Sequence, residues 1–345
     1  MKFILFCNLP YAFSILKPLE EEIQKRGFES LWFLPENIIE LFPYKQSNYT
    51  SDINTIKNYE SDVIFVPGND VPYFLRGVKV QIFHGLAGEK KGHFRIRDYF
   101  DLYLTQGPYF TNKFKELSAK HKNFEVIETG WCKLDNLYTI SDTTKNTRKN
   151  LLEQYNVKSI LLYAPTFSPS LTSGFILIDT IEKLSNNSDI LVVIKFHDKM
   201  ALEIKEQYNK LNSKNLIISD EKDITPLLQL SDLMISDTSS VVYEFLLLNK
   251  PVITLNSISD NINWLDLNSK EKLEKEVLNI ISGDDKYKKN RQNTIEQYHP
   301  YNDGKSASRM IDAAMQYIKN NKIPEKRKIS ILRKIKINNK YGWFI

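Results

Sequence analysis

The sequence predicts an α/β fold made of two doubly wound parallel-sheet domains that face a central cleft. Strand-like and helix-like segments alternate along the 345 residues. Most strand candidates are short, continuous apolar runs, which are typical of parallel sheets covered on both faces. A polar, aperiodic stretch at 139–147 separates two such series. We therefore expect an N-terminal domain at 1–145, a second domain at 146–320 and a tail at 321–345.

The first half opens with an apolar strand at 3–7 and an amphipathic helix at 14–26 that ends at Gly27. Its further predicted strands are 31–34, 63–66, 80–83, 102–105 and 126–128, and a helix is predicted at 109–117. The predicted strands of the second half are 160–163, 190–196, 216–219, 233–235 and 252–255. Its predicted helices are 174–184, 200–211, 224–230, 240–249, 268–281, 284–297 and 305–320.

The composition is that of an ordinary globular protein, with 42% hydrophobic and 26% charged residues. Two cysteines, Cys7 and Cys132, are too few for a disulfide framework or a metal site, and we expect both to be reduced in a cytosolic protein. The apolar N-terminus is broken by Asn8 and Pro10 and lacks a cleavage site, so we interpret it as a buried strand rather than a signal peptide. No apolar run approaches the roughly 20 residues that span a bilayer.

Positive charge is concentrated in the tail. Residues 321–345 carry eight Lys or Arg and one acid, a net charge of +7, whereas the whole chain carries +5. If the tail is helical, Ile331, Leu332 and Ile335 form an apolar stripe among basic residues, and the tail ends in aromatic residues that favour a bilayer interface. We favour contact with an anionic membrane; packing on the N-terminal domain and a nucleic-acid arm are the alternatives.

Candidate site residues follow the strands, because ligands of open parallel sheets bind beyond the carboxyl ends of the strands. The segments in question are 84–92, 129–135, 164–167, 197–198 and 236–240. His84 and His197 each follow a strand, one in each half, and a cleft between the halves would bring them together.

The turn made by Ser236, Asp237, Thr238, Ser239 and Ser240 lies between a strand and a helix. Such residues cap helix N-termini, and the N–H groups exposed there can bind a phosphate. An ordinary strand–helix corner with a good cap explains the same residues, so both interpretations stay open.

Six motifs occur in a fixed order between residues 83 and 309. They are Phe83-His84-Gly85, Gly130-Trp131-Cys132-Lys133-Leu134-Asp135, Tyr163-Ala164-Pro165-Thr166-Phe167, Lys195-Phe196-His197-Asp198, Ser236-Asp237-Thr238-Ser239-Ser240 with Glu244 and Lys250-Pro251-Val252, and Asp303-Gly304-Lys305-Ser306. In this combination the chain resembles the CDP-glycerol glycerophosphotransferase family, enzymes of teichoic-acid and capsule polymer synthesis with the two-domain GT-B fold. It departs from the family pattern at Leu86-Ala87, where the family has Thr-Pro, at Trp131-Cys132, where it has Tyr-Pro, and at Asp198, where it has Pro.

The resemblance implies roles for these residues. His84 would be the general base, since histidine titrates close to physiological pH, and His197 would hold or protonate a diphosphate oxygen. Donor binding would fall to Thr166, Lys195, Ser236, Asp237, Thr238, Ser239, Ser240 and Glu244. Candidates for the acceptor side or for indirect support are Gly85, Lys90, Lys91, Lys133, Asp135, Asp303 and Lys305. The alternatives are structural histidines at both strand ends and an exposed helical Glu244.

The implied function is transfer of an alditol phosphate, glycerol phosphate in the first instance, from CDP-glycerol or CDP-ribitol to a hydroxyl of a membrane-associated glycan or polymer, with release of CMP. A glycosyltransferase or a sugar-nucleotide epimerase on the same fold is the alternative, and a non-catalytic sugar-binding protein is a third hypothesis. We expect no protein-held metal and no obligatory cofactor, although the donor diphosphate could carry Mg²⁺. The implied location is the cytoplasmic face of the plasma membrane, with no nucleic-acid partner.

Overall fold

The computed structural model describes residues 1–86, 93–259 and 262–342 and divides the chain into two compact units. The first unit combines Met1–Asn136 with Gln297–Ile345, and the second is Leu137–Glu296. The division differs from the predicted domains, because the chain returns to the first unit from residue 297 onward.

The first unit is built on a seven-stranded sheet with the order β3-β2-β1-β4-β5-β6-β7, in which all the paired strands are parallel. Its strands are β1 (Lys2–Phe6), β2 (Glu29–Phe33), β3 (Tyr49–Thr50), β4 (Val63–Val66), β5 (Val78–Gln81), β6 (Leu102–Thr105) and β7 (Glu125–Glu128). Its helices are α1 (Phe13–Lys25), α2 (Glu36–Ile39), α3 (Ile53–Asn58), α4 (Pro108–His121), α13 (Ser306–Asn320) and α14 (Ile331–Tyr341). The short helix α5 (Asp135–Tyr138) lies at the boundary between the units.

The second unit has a six-stranded parallel sheet with the order β10-β9-β8-β11-β12-β13. Its strands are β8 (Ser159–Tyr163), β9 (Ile190–Ile194), β10 (Leu216–Ile218), β11 (Leu233–Ser236), β12 (Val252–Leu255) and β13 (Leu265–Leu267). Its helices are α6 (Asp142–Tyr155), α7 (Ile178–Ser185), α8 (Leu202–Asn209), α9 (Thr225–Leu230), α10 (Val241–Leu247) and α11 (Leu273–Ile281), and α12 (Lys288–Tyr298) leads back to the first unit.

The strands that the sequence predicted are present in the structure, because their apolar side chains are buried. Strands β1, β4, β8, β9 and β11 are buried almost throughout, as expected for central strands covered on both faces. Both cysteines are buried and unbridged. The two edge strands β3 and β13 were not predicted, because two or three residues are too short for a periodic signal.

The polar stretch at 139–147, which was predicted to mark the domain boundary, begins two residues after the start of the second unit at Leu137. Helix α6 begins inside it, and the Ser141 side chain caps the helix by accepting a hydrogen bond from the Thr144 N–H at 3.1 Å. The lack of apolar periodicity reflects an exposed helix face rather than an irregular segment.

The tail packs on the first unit, which was one of the alternatives for it. Arg327 forms a buried ion pair with Asp101, with Nε 2.8 Å from Oδ1. Helix α14 then buries Ile337 and Tyr341. Among the described residues, no helix is both long enough and apolar enough to cross a membrane.

Candidate functional site

His84 is exposed and lies just beyond the carboxyl end of β5, an inner strand of the first sheet. The preceding residue, Phe83, has a positive φ of 62°, a conformation that is uncommon for a non-glycine residue and turns the chain sharply before the histidine. The His84 Nδ1 atom is 3.1 Å from the Pro67 carbonyl oxygen, and the ring of Tyr11 lies 5.3 Å from the imidazole.

This contact determines which ring nitrogen of His84 can act as a base. A carbonyl oxygen can only accept a hydrogen bond, so Nδ1 must carry the proton. In the neutral ring Nε2 is then the unprotonated nitrogen. Gly85 continues the turn, and its carbonyl accepts a hydrogen bond from the Gln106 side chain at 3.1 Å.

His197 occupies the corresponding place in the second unit, after β9, and has the opposite tautomer. Its Nδ1 atom accepts a hydrogen bond from the Lys199 N–H at 3.1 Å, so Nε2 carries the proton in the neutral ring. Burial, only partly offset by Asp198, lowers the pKa of His197 and favours this neutral form. The ring rests 4.4 Å from the ring of Phe167, in the segment after β8.

Two of the predicted donor-binding residues, Ser236 and Asp237, form hydrogen bonds within the protein. The Ser236 hydroxyl donates to the Ala164 carbonyl at 2.7 Å. The buried Asp237 carboxylate accepts hydrogen bonds from the Thr166 N–H at 2.8 Å and from both the N–H and the hydroxyl of Ser173 at 2.9 Å. Burial is the main cause that raises the pKa of Asp237. These two side chains therefore hold the segment after β8 in place, and their polar atoms are turned inward.

The remaining residues of the turn lie at its partly exposed surface. Thr238, Ser239 and Ser240 are half-buried, and α10 begins directly after them. The Thr238 hydroxyl accepts from the Ile258 N–H at 3.2 Å, and the Ser239 hydroxyl accepts from the Val241 N–H at 3.4 Å. The capping interpretation therefore rests on one long bond at Ser239. These three residues are available to a ligand in a way that Ser236 and Asp237 are not.

Three other residues were predicted on the donor side. Thr166 is half-buried, and the bond from its N–H to Asp237 places it next to the turn. Lys195 is half-buried and donates to the Phe196 carbonyl at 2.9 Å. Glu244 is only 7% exposed on α10, so the alternative of an exposed helical glutamate is wrong.

On the predicted acceptor side, Asp135 is a helix cap. Its carboxylate oxygens accept from the Ser306 N–H at 2.8 Å and the Ala307 N–H at 2.7 Å, which are the first N–H groups of α13. Burial raises the pKa of Asp135, with these bonds opposing it. Both carboxylate oxygens are thus engaged by the helix, so Asp135 supports the fold.

Three further acceptor-side residues lie around the start of α13. One guanidinium nitrogen of Arg309 donates to both carboxylate oxygens of Asp303, at 2.8 and 3.1 Å, and Asp303 also accepts from the Lys305 N–H. The Lys305 side chain is exposed. The Lys133 ammonium lies 5.4 Å from the ring of Trp131. Lys90 and Lys91 lie outside the described residues.

His299 was not among the predicted site residues, yet it contacts the motif that begins at Gly130. It is fully buried, and its Nε2 atom accepts from the Trp131 N–H at 2.9 Å. Gly130 precedes Trp131 with a φ of 80°, and a side chain there would meet the Ser306 hydroxyl at 2.5 Å. This close packing explains why Gly130 begins the motif. Tyr11, whose ring lies beside His84, was not predicted as a site residue either. Its position soon after the first strand could have indicated it, since site residues follow strand ends.

His93 and His121 have different environments. His93 is stacked against Phe83, with ring centres 5.3 Å apart, and burial lowers its pKa to about 4. His121 is exposed at the end of α4. In the part of the chain that the structure describes, no group of three or more His, Cys, Asp or Glu side chains could hold a metal ion.

Two parallel α/β sheets with candidate residues at the carboxyl ends of their strands place the chain in the GT-B class. Residues 79–257, just over half of the chain, match the CDP-glycerol:poly(glycerophosphate) glycerophosphotransferase family. The chain belongs to this family, as the motif order predicted.

Known relatives agree with this assignment. A teichoic acid glycerol-phosphate primase of Bacillus spizizenii is 32% identical over 124 residues, which are 35% of this chain and 31% of the primase. The match thus spans about a third of that relative's length. The structure of the wall teichoic acid polymerase TagF aligns with a TM-score of 0.63 at 17% identity, over 92% of this chain and 89% of TagF.

The fold is shared more widely than the family. A putative UDP-N-acetylglucosamine 2-epimerase from Listeria monocytogenes aligns with a TM-score of 0.68 at 16% identity, over 96% of this chain and 99% of the epimerase. At such identities the solved structures establish the fold, and the family match carries the rest.

Proposed function

We propose that this protein transfers an alditol phosphate, most simply glycerol phosphate, from a CDP-activated donor to a hydroxyl of a glycan or polymer acceptor and releases CMP. The acceptor oxygen forms a bond to the phosphorus that carries the alditol, and the bond from that phosphorus to the CMP oxygen breaks. The acceptor hydroxyl loses a proton in this step, and the departing CMP gains negative charge or a proton.

The observation that carries the proposal is the pair of complementary histidine tautomers. His84, held through Nδ1–H by a carbonyl, offers Nε2 as a proton acceptor, which suits the general base. His197, held through Nδ1 by an N–H, offers Nε2–H as a donor, which suits a group that hydrogen-bonds to or protonates a diphosphate oxygen.

Donor binding is assigned to the surface of the turn after β11. Ser239 and Ser240 would donate to the phosphates, and Thr166, Glu244 and Lys195 would line the nucleotide side. Ser236 and Asp237 are placed beneath this surface as supports, since their polar atoms are engaged elsewhere. No cofactor is required in this scheme, and any Mg²⁺ would arrive with the donor diphosphate.

The first experiment measures CMP or UDP release from CDP-glycerol, CDP-ribitol, CMP-sugars and UDP-N-acetylglucosamine, with and without a lipid-linked glycan acceptor and with and without EDTA. We expect acceptor-dependent CMP release from a CDP-alditol. UDP release would instead indicate a glycosyltransferase. Interconversion of UDP-N-acetylglucosamine without an acceptor would indicate an epimerase, an alternative that is tested because the fold is similar to that of a putative epimerase.

Histidine variants then test the roles. H84Q should lower kcat by at least 100-fold, the usual contribution of a general base, while donor binding by calorimetry is retained. H121Q is the matched control, because His121 is an exposed histidine of the same unit. Near-normal turnover in H84Q would refute the assignment of the base.

We further propose that the protein works at the cytoplasmic face of the plasma membrane, where a lipid-linked acceptor would be found, and that α14 contacts the lipid. Ile331 and Leu332 on α14 are 75% and 80% exposed, although the opposite face of the helix is packed. Lys334 lies one turn after Ile331 on the same helix. Basic residues contribute about 1 kcal/mol each near an anionic leaflet.

Vesicle sedimentation tests the membrane proposal with the full chain, since the tail is part of the folded unit. Phosphatidylglycerol vesicles should retain the wild type at low salt, and I331S/L332S should bind at least tenfold more weakly. L202S is the control, because Leu202 is 70% exposed in the second unit. Equal retention of all three proteins, or retention that ignores added salt, would rule the idea out.

A further inference from the structure

The inner face of α14 is connected to the loop that holds His84. The Tyr341 hydroxyl donates to the Asn8 side-chain oxygen at 2.9 Å. The Asn8 amide nitrogen in turn donates to the Asp70 carbonyl at 3.2 Å. Asp70 belongs to the loop after β4, and three residues earlier in that loop is Pro67, whose carbonyl holds Nδ1 of His84.

Ion pairs also join α14 to the loop after β4. The Lys336 ammonium lies 3.1 Å from both carboxylate oxygens of Asp70, and Lys340 is 3.9 Å away. Arg333, one turn earlier on α14, pairs with Asp98 and donates to the Ile96 carbonyl at 3.2 Å. Helix α14 therefore holds the loop after β4 and the segment around residue 98 at the same time.

Tyr341 is built into this position rather than resting on the surface. It is 8% exposed, and its ring packs edge-on against Phe6 at 5.7 Å and Phe33 at 6.1 Å. These aromatic contacts belong to the central strands β1 and β2, so the hydroxyl is aimed at Asn8 by the core of the sheet. A buried tyrosine hydroxyl needs a hydrogen-bond partner, and here that partner is the side chain that also bonds to the loop after β4.

We propose that Tyr341 is a positioning residue for the His84 site, acting through Asn8 and the loop after β4 to keep the Pro67 carbonyl against Nδ1. The inference rests on the proposed function for the role of His84, but its structural part does not depend on that role. The bond between Nδ1 of His84 and the Pro67 carbonyl fixes the tautomer that leaves Nε2 as a base. If the Tyr341–Asn8 and Asn8–Asp70 bonds are lost, the Pro67 carbonyl should be held less firmly, and the neutral ring should sample both tautomers. A fraction of the molecules would then present a protonated Nε2.

The test uses Y341F, which removes the hydroxyl and keeps the ring. We expect kcat for CMP release to fall about fivefold, the effect of one lost hydrogen bond, while the donor KM stays within twofold of the wild type. N8D, which cannot donate to the Asp70 carbonyl, should show a similar loss, and Y341F/N8D should be no worse than the stronger single variant, because both act through one relay.

Y317F is the matched control, since Tyr317 is a buried tyrosine on α13 in the same unit. A merely structural role for Tyr341 would lower the melting temperature and leave kcat unchanged. Equal loss of kcat in Y341F and Y317F, or wild-type kcat in Y341F, would overturn the inference.

A second readout is independent of turnover. In protein labelled with ¹⁵N-histidine, the two ring-nitrogen shifts report the tautomer, and H84Q assigns the His84 signals. We expect the Nδ1–H form in the wild type and a mixture in Y341F. If the wild type turned over none of the donors, the proposed function would fail, and the tautomer comparison would still decide the role of Tyr341: an unchanged His84 tautomer in Y341F refutes it.

Discussion

Acidification should destabilise the first unit through His299. This residue is fully buried, its Nε2 atom accepts from the Trp131 N–H, and burial lowers its pKa to about 4. In the unfolded chain a histidine titrates near 6.5. Because the native state binds the proton less readily than the unfolded chain, the stability from neutral His299 is complete above pH about 6.5 and is lost as the pH falls toward about 4.

The size of the effect follows from the shift. The difference between a pKa of about 4 and one near 6.5 corresponds to about 3 kcal/mol once both states are protonated, and to about 2 kcal/mol at pH 5. In H299Q the glutamine oxygen can still accept the Trp131 N–H, but the side chain no longer titrates. H299Q should therefore be less stable than the wild type at pH 7.5, and the gap between the two should shrink by about 2 kcal/mol at pH 5.

The assay is urea unfolding followed by circular dichroism between pH 5 and pH 7.5, with hydrogen exchange of the peptide 125–136 to locate the effect in the first unit. His93, whose pKa is also lowered to about 4, is unchanged in both proteins, so the comparison isolates His299. H121Q is the control and should follow the wild type. Parallel pH profiles for the wild type and H299Q would refute the reasoning.

Three further predictions follow from the same contacts. Asp135→Ala removes both acceptors from the start of α13 and should cost about 2–4 kcal/mol of unfolding free energy in urea titrations; a change below about 0.5 kcal/mol would show that the cap is dispensable. Arg327→Ala leaves the buried Asp101 carboxylate unpaired and should cost about 3–5 kcal/mol, visible as a lower melting temperature, whereas an unchanged melting temperature would mean that the tail is not held by this pair. Ser239→Ala combined with Ser240→Ala should raise the donor KM roughly tenfold with little change in melting temperature; the reverse pattern would favour a plain helix cap.

The sequence by itself determined the class of fold and the family. Central strands are read reliably from apolar runs because both faces of a parallel sheet are covered, and β4, β6 and β12 begin and end at the predicted residues. The strand-end rule likewise located His84 and His197, because it depends only on chain order. The edge strands β3 and β13 and the start of α6 carried too weak a pattern to be found.

Only the tertiary structure decided what each polar residue does. Asp135 and Asp237 look like site carboxylates in a motif, but their partners are N–H groups at 306–307, 166 and 173, and such long-range contacts have no local signature. The return of the chain to the first unit after residue 296, and with it the contact between Tyr341 and Asn8, has the same origin. The tautomers of the two histidines are also tertiary properties, since each is set by the backbone group that its Nδ1 atom meets: a carbonyl from the neighbouring strand's loop for His84, and an N–H two residues ahead for His197.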